Sequence, residues 1–236
     1  MNKTALQLVS RFAISPNQLG YCGKGTAGAR FKKCITSGET VGVAAEVKKF
    51  IVLWPYLKTL GEAFKKDPFD QDIIESYCLG NDLLKKSKLK DYTLLLKNFE
   101  IQGVPDWLVE DLKKHPPKKF IPTHLFQVLH VGVGRASGSV PYNLKTVNNC
   151  MFRWGTVIKL INENIIVELF SLNKASKLIK RQEEFKIVKF LTPKIKVGDT
   201  VAVHWGVPVK LLTPDEILKL EYWTKAVLKV VKPQRP

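Results

Sequence analysis

A change of hydrophobic period near residue 122 constrains this chain more than any other feature. Before it, apolar residues recur at three- and four-residue steps; after it, they mostly alternate. "TALQLVSRFA" predicts a short amphipathic helix over 4–13, broken by Pro16 and the glycines that follow. "VAAEVKKFIVLWPYLKTLGEAF" reads as helix, with Pro55 forcing a kink or a break. "DPFDQDIIESYCLGNDLLKK" opens on an acidic first turn and carries Ile73, Ile74, Tyr77 and Leu84 as a buried stripe. "PDWLVEDLKK" predicts a short helix starting near Pro105. In the second part, "HLFQVLHVGVG" reads as strand, "RWGTVIKLINENIIVELF" as two strands about "NEN", and "EEFKIVKFL" as a third. "VGDTVAVHWGVPVKLL" supplies one or two more. The chain closes on a helix, "TPDEILKLEYWTKAVLKVV", with Thr213 as N-cap, Pro214 at the first helical position and Asp215 and Glu216 at its positive end. The class is therefore α+β: a helical region, a bridging segment, then a small β-barrel or β-sandwich with a terminal helix.

Charge narrows the partners. The 236 residues carry 38 Lys and Arg against 21 Asp and Glu, a formal net charge of +17 spread over both parts. Such a surplus favours acidic partners, nucleic acid above all, but no block of five like charges occurs, so a solvated lysine-rich surface explains it equally. Arg11 interrupts what a signal peptide would need as an apolar run, and "FIVLWPYL" is too short to span a bilayer. Cys22, Cys34, Cys78 and Cys150 are widely spaced with no CxxC, which excludes a structural zinc site of standard spacing and disfavours a secreted disulfide framework. The chain reads as cytoplasmic, without membrane insertion, and with reduced thiols.

Most apparent motifs have plainer explanations. "HVGVGRASG" spaces its glycines as Gly132-x-Gly134-x3-Gly138, not GxGxxG, and "SVPYN" follows where a phosphate-binding helix should begin. It reads as a connecting loop. Cys22 in "GYCGKGTAG" lies in a flexible, locally basic loop that could expose and activate its thiol, although a structural turn explains it as well. His124 and His130, six apart on the expected strand, would point to one face; a pair of hydrogen-bonded histidines competes there with a metal site. No GxSxG, HExxH or paired-acid constellation is present. Cys150, in "NNCMFRWGTVIKLIN", sits where a strand should open, and His204 alternates with Val201 and Val203; packing alone would account for both.

Two blocks alter that balance. "CMFRWGTVIKL" places Cys150, Gly155 and Val157, and "VGDTVAVHWG", Val197 to Gly206, precedes the acidic-started terminal helix. In this order and spacing, residues 149–232 resemble the HypC/HupF-type [NiFe]-hydrogenase assembly chaperones. The resemblance implies an OB-like β-barrel and divides the chain into a mainly helical domain at 1–121, a bridging segment at 122–148, the barrel domain at 149–232 and a tail at 233–236. It implies a cargo, iron as an Fe(CN)2CO unit, and as partner a HypD-like scaffold protein or a hydrogenase large subunit. It makes Cys150 the iron ligand and His204 its support. Arg153 is then close enough in sequence to lower the thiol's pKa and to contact the bound unit.

In that family the cysteine follows the initiator methionine and becomes the chain terminus, and Trp154-Gly155 stands where Pro-Gly is usual. Here the site would instead be covered by the upstream residues, which could bring Cys22 and His124 beside Cys150. On this reading the chain binds and transfers a metal group and is not an enzyme. Two alternatives stand beside it. One is a basic OB-like nucleic-acid binder using Phe152, Trp154 and Trp205 as stacking rings; the other is a cysteine-dependent enzyme using Cys22 or Cys150.

Overall fold

The structure, a computed structural model, describes residues 2–23, 25 and 27–231; the expected tail at 233–236 lies outside them. Helix α1, Lys3–Gln18, starts where the Asn2 side chain accepts the backbone N–H groups of Thr4 and Ala5. It does not end at Pro16 but runs through it. A proline lacks the N–H that would bond the carbonyl four residues earlier, here that of Phe12. That carbonyl accepts from His204 Nδ1 instead, at 2.7 Å, so the helix continues without a buried unpaired oxygen.

Around α1 pack α2 (Gly28–Ser37), α3 (Val43–Val47) and α5 (Gln71–Cys78), and α4 (Leu53–Phe64) packs against α5. The break expected at Pro55 falls between α3 and α4. Pro55 then occupies the first turn of α4, where its missing N–H has no intrahelical partner to lose. Helices α6 (Leu89–Gln102) and α7 (Asp106–Lys114) complete this part.

Where alternation predicted a strand, the chain is helical: α8 (His124–Phe126) runs directly into a π-helical turn, Gln127–Gly132. Thr123 Oγ1 caps it by accepting from Phe126 N. Leu125, Phe126, Val128, Leu129 and Val131 are all buried, and the polar stripe that marks the helical period, His124, Gln127 and His130 at three-residue steps, is narrow and at most half-exposed. A further short helix, α9 (Leu144–Cys150), lies in the expected bridge and puts Cys150 at a helix end, not at a strand start.

Strands β1 (Arg153–Ile161), β2 (Asn164–Leu172), β3 (Leu178–Lys186), β4 (Thr200–His204) and β5 (Val207–Leu211) form one antiparallel sheet in the order β3-β2-β1-β4-β5. The third strand begins earlier than "EEFKIVKFL" suggests. All five strands feed one apolar cluster on the same face, with Val157, Val167, Phe185, Val201 and Leu211 among its members, so the sheet curls around it. No ladder joins β3 to β5 among the described residues, and the expected barrel is an incompletely closed one. Helix α10, Pro214–Val230, opens with the predicted cap: Thr213 Oγ1 accepts from Glu216 N while the Glu216 carboxylate accepts from Thr213 N.

The other face of the sheet belongs to a larger core. Trp154, Phe170 and Ala202 pack there with α1 and the helices, and this apolar cluster runs from Ala5 to Val231 across the 121 boundary. Arg11 adds a polar tie, donating from α1 to the Leu191 carbonyl at 2.6 Å. No helix among the described residues is long and apolar enough to cross a membrane.

Candidate metal centre

Because side chains alternate along a strand, His204 shares the Ala202 side of β4 and faces the helices. Cys150 reaches the same place from the end of α9. Asn148 fastens that helix to the end of β2: its amide donates to Leu172 O at 2.9 Å and accepts from Leu172 N at 2.7 Å. His124 arrives from the start of α8. One ligand atom from each of His124, Cys150 and His204 lies within 4.8 Å of the others, and all three residues are buried. A tetrahedral ion needs about 3.4–3.6 Å between such atoms, by the usual metal–nitrogen and metal–sulfur distances, so modest side-chain rotation closes the set.

Phe152 organises the three. Its ring stacks on His124 with centroids 4.0 Å apart, on Phe12 at 4.0 Å on the other side, and meets His204 edge-on at 4.6 Å. The next turn adds a tryptophan. Trp205 and Gly206 join β4 to β5 with φ of +49° and +73°, as a two-residue type I′ hairpin requires. Glycine adopts this freely; tryptophan does so under strain. Trp205 is held there by its backbone N–H, which donates to Asn149 O at 2.7 Å, and by its ring against Tyr21 at 4.6 Å.

The proton positions follow from the partners. His204 Nδ1 must carry hydrogen to donate to Phe12 O, which leaves Nε2 as a lone pair; that atom is buried and has no hydrogen-bond partner. His124 Nε2 lies 2.7 Å from Cys150 O and 3.8 Å from its Sγ, while Nδ1 lies 2.9 Å from the Tyr77 hydroxyl. That hydroxyl also bonds Gln127. When Tyr77 donates to Nδ1, Nε2–H is given to the carbonyl. When Tyr77 donates to Gln127, its oxygen accepts Nδ1–H, and the bare Nε2 must then swing off the Cys150 carbonyl oxygen, which cannot donate to it, before it can ligate. Outer partners of this kind commonly set the tautomer of a metal-binding imidazole.

Burial keeps all three groups neutral. The His124 pKa falls to about 4, and that of His204 falls well below its ordinary value, first through burial and then through the nearby His124 ring. The Cys150 thiol is pushed well up, chiefly by burial and secondarily by Cys22; the Trp205 indole N–H opposes this. A lone thiol here is a poor nucleophile, which weakens the cysteine-enzyme reading. A bound cation reverses the balance, because a coordinated thiol deprotonates outright.

Arg153 does not serve the thiol. The pleat turns it to the face opposite Phe152, where Nη1 bonds Glu183 at 2.6 Å and Ser171 Oγ at 3.0 Å, and it is not among the groups acting on Cys150. Cys22 lines the same pocket as the cluster but stands outside it. Although partly exposed, its thiol is pushed up to about 12 by the surrounding apolar atoms, the direction opposite to activation by a basic loop. His130 lies apart as well, with Nε2 2.9 Å from the Tyr92 hydroxyl. Phe152, Trp154 and Trp205 are 5%, 2% and 8% exposed, so they offer no stacking surface to a nucleic-acid strand. Sequence reading missed Gln127 and the roles of Tyr77 and Trp205. Tyr77 passes for core at its helical spacing, and only the Trp-Gly turn hinted at Trp205.

One family model matches the chain, over residues 1–235, and is described as a family of unknown function (DUF6390). No curated protein and no solved structure matches the chain.

Proposed function

The chain belongs to that family along nearly its whole length, helical and β parts together, and we propose that it binds one transition-metal ion through Cys150, His204 and His124. The observation that carries this reading is the buried, unpartnered His204 Nε2 beside a thiol and a second imidazole. A buried lone pair without a donor is unfavourable, and a metal ion satisfies it directly. Two imidazoles and a thiolate suit zinc, iron or copper rather than magnesium or calcium. Among the described residues no Lys, Arg, Asp or Glu lines the pocket, and burial holds both its histidines below their ordinary pKa, which favours ligation and transfer over acid-base turnover near neutral pH.

The resemblance of residues 149–232 supplies the finer reading: iron carried as an Fe(CN)2CO unit, with a HypD-like scaffold or a hydrogenase large subunit as partner. Bound there, the thiolate would supply strong donation to low-spin iron. A cytoplasmic location goes with it, and all four cysteines are free thiols.

Two experiments separate the levels. Anaerobic titration with Co(II) should give a thiolate-to-cobalt charge-transfer band that disappears in Cys150→Ser and weakens at least tenfold in affinity in His204→Gln. No band in the wild-type protein would end the metal reading. Infrared spectra of protein made without oxygen in a host with active hydrogenase maturation test the iron unit. CN and CO bands lost in Cys150→Ala support it; no bands while the host's own chaperones are loaded removes it.

A further inference from the structure

The cluster lines a pocket with a cavity of about 70 Å³, or about 820 Å³ when adjoining open solvent is counted. Its walls are apolar, with Val9, Ala13, Phe50, Leu53, Val128 and Val131 among them. In a chain of net charge +17, no Lys, Arg, Asp or Glu among the described residues lines it. Tyr21, Cys22 and Gly23 and the loop at 134–140 supply most of its more exposed lining, joined where Ser139 Oγ donates to Tyr21 O at 3.0 Å. Gly23 keeps this lining close to the wall: a Cβ there would sit 2.6 Å from the Phe50 ring.

Three protein ligands leave a tetrahedral ion one open position, the arrangement of exchange and reaction sites rather than of closed structural ones. The chain's own next candidate, Cys22, is not within the ligand cluster. Charge then selects what fills the position. A divalent ion with one thiolate keeps a single positive charge, and no charged side chain among the described lining residues balances it; an uncompensated charge in apolar surroundings is strongly unfavourable.

We propose, resting on the metal reading above, that the pocket takes a small molecule with a hydrocarbon body and a monoanionic donor head, a thiolate or carboxylate. The head occupies the fourth position and makes the centre neutral. The body replaces water against the apolar walls.

The test uses the full chain loaded with Co(II), whose ligand-field bands report the fourth ligand while the charge-transfer band reports Cys150. Hexanoate is compared with acetate, which has the same head without the body, and with hexylammonium, which has the body and the wrong charge. Each added methylene is worth about fourfold in affinity, so hexanoate should shift the bands at concentrations on the order of a hundredfold below acetate. Hexylammonium should leave them unchanged. Ala136→Phe, which fills the pocket from the 134–140 loop, should abolish the preference for hexanoate and keep the charge-transfer band. Equal response to hexanoate and acetate, binding of hexylammonium, or ligand-field bands that no added ligand moves would overturn the proposal while leaving the metal reading intact. Absence of the charge-transfer band in the wild type would overturn both.

Discussion

His204 Nδ1 and the Phe12 carbonyl oxygen meet at 2.7 Å across 192 positions of sequence, and Pro16 makes that meeting possible. The proline withholds the N–H that would otherwise take the oxygen within α1. The bond fixes the imidazole with its hydrogen on Nδ1 and turns the bare Nε2 to the cluster. A helix irregularity thereby prepares a ligand.

Replacing the ring exposes the contribution of this bond. In His204→Phe the Phe12 carbonyl is left buried without a donor, and the protein should lose about 1–3 kcal/mol of unfolding free energy in urea. Pro16→Ala should act in the opposite sense on stability, because it restores a helical N–H, yet it loosens the imidazole and should weaken Co(II) binding. A Pro16→Ala protein that binds cobalt as tightly as the wild type would show that the tautomer is set elsewhere.

Tyr77 is tested by its hydroxyl alone. Tyr77→Phe keeps the buried ring and removes the group between His124 Nδ1 and Gln127. Metal affinity, measured by competition with a chelator, should fall about 10–100-fold with the thermal midpoint of the metal-free protein little changed.

Two of the glycines that carry the family resemblance, Gly155 and Gly206, should respond very differently to alanine. At Gly155 a Cβ would lie 2.2 Å from Glu168 O and 2.6 Å from Leu169 Cα, so the β1–β2 ladder must part. Gly155→Ala should prevent folding or lower stability by several kcal/mol, on the order of a severe overpacking. Gly206, at φ +73°, has open space around it, and Gly206→Ala should cost only about 1 kcal/mol from the backbone. Circular dichroism melts of the two variants decide between these outcomes.

Acid should destabilise the protein partly through His130. Burial lowers its pKa to about 4, against about 6.5 in the unfolded chain. Between those values the unfolded state binds the extra proton, so stability rises with pH across the window and is lost as pH falls from 6.5 toward 4. Up to about 3 kcal/mol is at stake from this residue. In His130→Gln the slope of unfolding free energy against pH should flatten over that range; an unchanged slope would show that His130 does not titrate there.

Local chemistry is what the sequence by itself determined. The α+β class, the break at Pro55, the hairpin about "NEN" and the capped terminal helix are all legible, because period, capping and turn preference act over a few residues. Cys150, His204 and His124 could be singled out by type. Their relation could not. The alternation over 124–134 misled because a helix buried on nearly every side shows too narrow a polar stripe, and only packing against α9, α10 and the rings of Tyr77, Tyr92 and Phe120 makes it so. Arg153 stands three residues from Cys150 in the chain, yet the pleat sends it to the other face, whereas His204, 192 residues from Phe12, closes a hydrogen bond with it. Burial, tautomer and an unfilled lone pair depend on contacts distant in sequence, and those belong to the tertiary structure alone.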